Sequence, residues 1–203
     1  MNKFTDLSLK SYLEELSSEK PVPGGGSVSA YVAALAMGLT QMVGRVALKR
    51  KLKDGLSAEE MRKEKERRAS IQKVVDSLEK PEQDSFQVVD LDPKIYASVM
   101  QASGDAVKQE DALKNSFRLQ ADLALMIVMG RQATKALADL VTGSIKNDLV
   151  VSAHLLDAAF HGAYHTAMIN AIYMKDAKQK KRSEKALEEL KMKFEKEKLN
   201  AGK

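Results

Sequence analysis

Pro21-Val22-Pro23-Gly24-Gly25-Gly26-Ser27 runs without a break into Val28-Ser29-Ala30-Tyr31-Val32-Ala33-Ala34-Leu35-Ala36-Met37-Gly38. Proline fixes its own φ and biases the preceding residue towards extended geometry, so Pro21 and Pro23 stop any earlier helix and hold the segment out. Glycine must then make the turn. Gly24, Gly25 and Gly26 carry no Cβ, so a ligand or a second backbone can reach contact distance of the main chain. Ser27 reads as the N-cap of the helix behind it, whose first N–H groups have no intrahelical partner. Two readings follow: a cradle for an anion or polar ligand at the positive end of a helix, or a helix-start turn that lets two segments pack closely. The stretch lacks the Gly-Lys-Ser/Thr ending of a nucleotide P-loop and does not fit the dinucleotide Gly-x-Gly-x-x-Gly pattern.

The helix that follows sets the class. It runs from Ser27 to about Lys51, and its first turns are almost all apolar or small. Ser29, Thr40, Gln41 and Arg45 interrupt it and a charged stretch follows, which favours a buried central helix over a membrane span. Ala30, Ala34 and Gly38, four residues apart, would let a partner helix of this chain or of a second copy approach closely. Aromatics make up 5% of the 203 residues and Trp is absent, a composition of packed helices rather than of a sandwich or barrel. The expectation is an all-α, single-domain bundle of about six to seven helices spanning 1–203, with 175–203 a charged C-terminal helix or tail.

Local signals place the other helices. Leu9, Leu13 and Leu16 give a short amphipathic helix from about Ser8 to Ser17. Asp54-Gly55 breaks the chain, and Ser57-Ala58-Glu59-Glu60 reads as a capping box opening the next helix, which Pro81 interrupts or ends. A long helical pattern covers about Asp105 to Leu140, Gly143-Ser144 marks a turn, and Asn147-Asp148 offers a cap for an apolar helix through Tyr173. Ala186, Leu187, Leu190 and Phe194 give the tail one apolar stripe, with its end fraying towards Lys203.

There is no cysteine, which excludes disulfides, thiolate metal sites and a cysteine nucleophile. Met1 to Lys10 has no apolar core of the kind a signal peptide needs, so a cytoplasmic setting is expected. The net charge of +5 is concentrated: residues 49–68 hold nine Lys or Arg against five acids, a cluster that could attract an anion. Acids interspersed at helical spacing and the lack of interleaved aromatics argue against nucleic acid and for a solvated face.

Two regions carry titratable groups. In Val88-Val89-Asp90-Leu91-Asp92-Pro93, two carboxylates in apolar surroundings could have raised pKa values and handle protons near neutrality. The plainer reading makes Asp92 an N-cap with Pro93 at N1. His154, His161 and His165 share one arc of the last apolar helix, with Asp157 among them. His161 and His165 have the spacing of a metal-ligand pair, but His154 lies about 10 Å further along the axis, so no metal site is expected.

Pro21 to Ala30, then Val89-Asp90-Leu91-Asp92 followed by Tyr96, then Gly162-Ala163-Tyr164 with Ile169-Asn170, together resemble the cyclodeaminase domain of the formiminotransferase-cyclodeaminase family, from about Leu9 to Asp176. The resemblance implies an all-helical domain that forms a homodimer by helix packing and binds tetrahydrofolate at or near the subunit interface, without membrane or metal. Its implied activity is formimidoyltetrahydrofolate cyclodeaminase, or the related methenyltetrahydrofolate cyclohydrolase; the alternative is a non-catalytic helical dimer that keeps the scaffold and a ligand pocket. It also implies Asp92 as the catalytic carboxylate with Asp90 beside it. Pro23, Gly24, Gly25, Gly26 and Ser27 would hold the pterin or the glutamate tail, with Asn170, His161 and His165 as further substrate contacts. The chain departs from the family pattern at Pro93, at Gln101-Ala102-Ser103-Gly104 where a basic segment is usual, at Ser144 and Thr166 where asparagines are common, and at His161 and His165.

Overall fold

The computed structural model describes residues 3–52 and 54–197, so Lys53 and the expected fraying towards Lys203 lie outside the described residues. A 3-10 turn (Phe4–Asp6) leads into α1 (Leu9–Leu16), α2 (Gly25–Lys49), α3 (Ala58–Gln101), α4 (Ala106–Leu140), α5 (Lys146–Tyr173) and α6 (Ala177–Lys196), with no strand among the described residues. The all-α class and the helix number agree with the sequence. α2 packs against α3, α4 and α5, α4 joins α3 to α5, and α6 lies on α4 and α5. Fully buried Ala30, Ala33 and Met37 of α2 meet Leu123 and Ile127 of α4 and Leu156 and Phe160 of α5. A second cluster, around Val43, Val75, Leu137 and Leu149, fills the end of the bundle near the α2 C-terminus. α2 is long and apolar enough to cross a membrane by length and composition, but half of its most apolar window is buried inside the bundle.

The polar residues of α2 are part of its packing. Thr40 Oγ1 lies 2.8 Å from Thr134 Oγ1 and 2.7 Å from Ser152 Oγ, tying α2 to α4 and α5 in the core. Thr134 and Ser152 also donate to the carbonyls of Gly130 and Ala36. Both neighbours therefore keep a partner when Thr40 is replaced, and Thr40→Val is expected to cost only about 1 kcal/mol in denaturant unfolding. A loss several times larger would mean that the chain of hydroxyls acts as one cooperative unit.

Within the chain the closest glycine contacts lie off the row Ala30, Ala34, Gly38: Gly38 faces open space, whereas a Cβ on Gly44 would collide with Val75 and one on Gly162 with Ser29. Three expectations are corrected. α3 does not stop at Pro81 or restart at Pro93; it is one helix of 44 residues. Each internal proline costs roughly 3 kcal/mol in an isolated helix, and here both are buried in the packed face of α3, where tertiary contacts offset that cost. α2 starts at Gly25 with Gly24 as N-cap, placing Ser27 inside the first turn. α5 is capped by Ile145 without a side-chain bond, ahead of Asn147 and Asp148.

The signals with local chemistry hold. Ser57 and Glu60 form the capping box, Asp105 caps α4, and Gly143 takes a positive φ of 86° in the turn before α5. The tail docks through Ser183, Leu187 and Phe194, with Ala186 left exposed. Phe194 stacks on Phe160 at 3.9 Å, and Arg131 lies over its other face at 4.3 Å. Arg131 also pairs with Asp157, so that carboxylate serves the core rather than the neighbouring histidines.

Candidate active site

Asp92 and Ser27 exchange the roles their local sequences suggest. Ser27 is the third residue of α2, so its N–H is one of the orphan donors of the helix N-terminus. Asp92 of α3 accepts it: Ser27 N lies 3.1 Å from Asp92 Oδ2. Pro93 has no N–H and leaves the carbonyl four residues back, that of Val89, without its helical donor. The Ser27 hydroxyl supplies one, donating to Val89 O at 2.9 Å. A carboxylate of α3 thus caps α2, and a hydroxyl of α2 mends the break that proline makes in α3.

The other carboxylate oxygen is held from α4. Gln120, fully buried, donates through Nε2 to Asp92 Oδ1 at 2.7 Å, and its own Oε1 has no partner. Gly26 makes this arrangement possible, because a Cβ there would fall inside contact distance of both Asp92 Oδ1 and Gln120 Nε2. Burial lifts the Asp92 carboxyl above the ordinary aspartate range, against the opposing pull of the Gln120 and Ser27 hydrogen bonds. Gln120 was not anticipated from the sequence. Its signal was a polar residue at a core position of α4, three residues after Phe117 and three before Leu123, both buried.

Asp92 sits in the wall of a cleft of about 410 Å³, a volume suited to a small organic ligand. Gly24, Gly25 and Gly26 form one side with Pro21 and Val22. Tyr96, Val99 and Met100 of α3 and Leu113 of α4 form an apolar side, and Thr166, Ile169, Asn170 and Tyr173 of α5 close it. Asn170 Nδ2 donates to Thr166 O at 2.8 Å, which leaves its Oδ1 for a ligand. Among the described residues the lining holds one carboxylate and no Lys or Arg.

Other candidate residues stand elsewhere. Asp90 does not join Asp92, because residues two apart on a continuous helix point about 200° apart. Its carboxylate accepts from Phe4 N at 2.6 Å, Thr5 N at 3.3 Å and Thr5 Oγ1 at 2.6 Å, holding down the N-terminal turn. Asp90→Ala should therefore cost about 1 kcal/mol, the value of a lost cap, with turnover within a few fold of wild type. A loss of kcat without loss of stability would return Asp90 to the chemistry. Pro23 is buried and is not part of the lining. His161 and His165 are exposed on α5 outside the cleft, and no group of three or more His, Asp or Glu suited to a metal forms among the described residues.

Fold and cleft together define a helical-bundle protein with a glycine-walled, single-carboxylate site of small-molecule size. A family model described as formiminotransferase-cyclodeaminase matches residues 8–189, and the chain belongs to that family. It is 26% identical over 182 residues to formimidoyltransferase-cyclodeaminase of Mus musculus, covering 84% of this chain and 32% of that protein. It is also 26% identical over 181 residues to the Gallus gallus protein, covering 84% and 31% respectively. The chain thus spans about a third of the length of these curated relatives. Its fold matches the crystal structure of formiminotetrahydrofolate cyclodeaminase from Thermotoga maritima with a TM-score of 0.84 at 23% identity, covering 95% of this chain and 92% of that one.

Proposed function

We propose that this chain is a cytoplasmic folate-dependent one-carbon enzyme, a formimidoyltetrahydrofolate cyclodeaminase with Asp92 as its acid–base group. The observation that carries the reading is the half-buried Asp92 carboxyl, with raised proton affinity, held at the N-terminus of α2 in the wall of the cleft. The substrate carries a protonated formimino group on N5. N10 attacks its carbon, a C–N10 bond forms, and the Asp92 carboxylate takes the N10 proton. The resulting carboxylic acid gives that proton to the amino group, the C–N bond breaks, and ammonia leaves the methenyl cation behind. One carboxyl whose pKa lies closer to neutrality than usual suits both transfers.

The other residues of the cleft would bind. The N–H groups of Gly25 and Gly26 open α2 before its own hydrogen-bond ladder begins, and face polar atoms of the substrate. Tyr96, Met100, Ile169 and Tyr173 offer apolar and aromatic surface to the pterin, and Asn170 Oδ1 an acceptor for a ring N–H.

A folate tail carries carboxylates, and the lining has no cation to meet them. A second copy of the chain, packed on the apolar face that α2 leaves exposed at Leu35, Met42 and Val46, would complete the site as a homodimer. Leu35→Glu with Met42→Glu should then halve the mass measured by sedimentation and raise KM. A wild-type monomer that turns over folate would remove the dimer from the account.

The same carboxyl could take a proton from water attacking the methenyl carbon, the cyclohydrolase reaction. The purified chain is incubated with 5-formiminotetrahydrofolate and, separately, with 5,10-methenyltetrahydrofolate, and the methenyl absorbance is followed. The proposal expects the absorbance to grow in the first mixture with release of ammonia. Enzyme-dependent decay in the second alone would make the chain a cyclohydrolase. No change in either, with no heat of folate binding, would leave a non-catalytic scaffold.

A further inference from the structure

A cavity larger than the cleft lies at the other end of α2. About 470 Å³ opens where the C-terminal end of α2, the segment after it, the first turns of α3 and the end of α4 converge. Ala47 of α2, where this cavity begins, lies about 33 Å of helix rise from Gly25 in the cleft. No polar group of the proposed reaction reaches it.

The wall is cationic and held in place. Among the described residues five cations line it, Arg50, Lys51, Lys63, Arg67 and Arg68, against two acids, Glu60 and Glu64, with Lys63 paired to Glu59 at 2.7 Å. Arg67 donates to both oxygens of Glu64 at 2.7 Å each, and Arg68 Nε to the same carboxylate at 3.0 Å. These contacts, the Arg67 hydrogen bond foremost, hold the Glu64 carboxyl well down, at about 2, so it stays ionised near neutrality. Glu60 accepts from Ser57 in the capping box.

Backbone carbonyls fix the guanidiniums further. Arg67 Nη1 reaches Leu140 O at 2.8 Å, Arg68 Nη1 reaches Leu48 O at 2.7 Å with a second contact to Arg50 O, and Arg50 Nη1 reaches Thr142 O at 2.8 Å. Each of Arg67 and Arg68 spends three of its five N–H donors this way, and Arg50 one. Arg50 and Lys51 have no carboxylate partner among the described residues. A solvated basic face would leave its side chains loose in water. Here the arginines are pinned around a concavity that focuses their field, with donors to spare and like charges close together.

We propose that this cavity binds a small aliphatic polyanion, a phosphate ester or a polycarboxylate of metabolite size. Its charge would balance Arg50, Lys51 and the unspent donors of Arg67 and Arg68, and its carbon body would lie on Ala47, Leu52 and Leu56. Among the described residues the lining has no aromatic side chain to offer a stacking surface to a nucleobase.

The test titrates the full chain by calorimetry with pyrophosphate and, separately, with citrate, and follows thermal melting in both against sodium chloride of equal ionic strength. The proposal expects saturable binding of at least one, with a rise in melting temperature beyond the chloride control. Lys51→Gln, at an exposed position whose side chain supports no fold contact, should weaken that binding roughly tenfold, the loss of one charge-assisted hydrogen bond. Arg50→Gln should do the same and serves as a second variant. Saturation by pyrophosphate alone assigns a phosphate ester, and by citrate alone a polycarboxylate. The proposal is overturned by heats that never saturate, by a melting shift that chloride reproduces, or by binding that both variants leave unchanged. Tight binding of a single-stranded oligonucleotide that neither anion displaces at constant ionic strength would likewise overturn it, by making the cluster a nucleic-acid surface.

Discussion

Asp92→Asn is expected to lower turnover of formiminotetrahydrofolate by roughly 10²–10⁴-fold, the usual range for loss of a general acid–base group, while leaving the folded chain at least as stable at pH 7. The two halves of that result have separate causes. An amide cannot exchange the N10 proton, so chemistry stops. The amide can still accept from the Ser27 N–H through its oxygen, and its NH₂ group can donate to Gln120 once the Gln120 amide turns over. That turn pairs Gln120 Oε1 with the new amide and moves Nε2 to the position that has no partner in wild type, so the number of bonds between the two side chains is unchanged.

Charge adds to this. Below the ordinary aspartate pKa, folded and unfolded chains both hold the proton, and burial of Asp92 carries no penalty. Above it the unfolded chain ionises first, so the Asp92 contribution turns unfavourable as pH climbs from the ordinary value through the raised one, and stays so at higher pH. Asp92→Asn removes that decline. Melting curves of wild type and variant should converge at acid pH and separate, variant above, towards neutrality. A variant that melts far below wild type at pH 7 would show that Asp92 is held in place for stability rather than for chemistry.

Gly26→Ala is expected to do the most damage for its size. A single methyl would overlap Asp92 Oδ1 and Gln120 Nε2 in a contact where α2, α3 and α4 meet. Relief by moving Asp92 breaks the Ser27 and Gln120 bonds; relief by moving α2 pulls the Ser27 hydroxyl from Val89 O. Overpacking of this kind costs about 1–3 kcal/mol, and displacement of the carboxyl should lower kcat by roughly 100-fold or more. Gly25→Ala is the control for the fold, since no atom lies within 4 Å of its would-be Cβ: it should keep the wild-type stability and the Asp92 contacts, with any loss of activity falling on KM because Gly25 lines the cleft. Equal, mild effects at both glycines would show that the turn tolerates a side chain and that Asp92 does not depend on it.

What the sequence made legible was local. Ser57 with Glu60, Asp105 and Gly143 announce helix boundaries through bonds and dihedrals that span a few residues. The glycine turn and Asp92 were also visible as candidate site residues, though in the wrong local roles, and they line one cleft. Asp92-Pro93 has the composition of a helix start, and only the packing of α3 against α2 and α4 carries the helix through both prolines. Because α3 is continuous there, Asp90 and Asp92 part company, and the neighbour that matters to Asp92 lies 65 residues away in Ser27. Gln120 belongs to the same class of fact. Its importance comes from a bond across 28 residues to a carboxylate that no periodicity identifies.

The pH dependence of kcat/KM for ammonia release from formiminotetrahydrofolate tests the central claim most directly. A half-buried Asp92 of raised proton affinity that must start as the carboxylate predicts an acid limb displaced above the ordinary aspartate range, with the limb and the activity both lost in Asp92→Asn. Activity in Asp92→Asn equal to wild type, with an acid limb at the same pH, would contradict it.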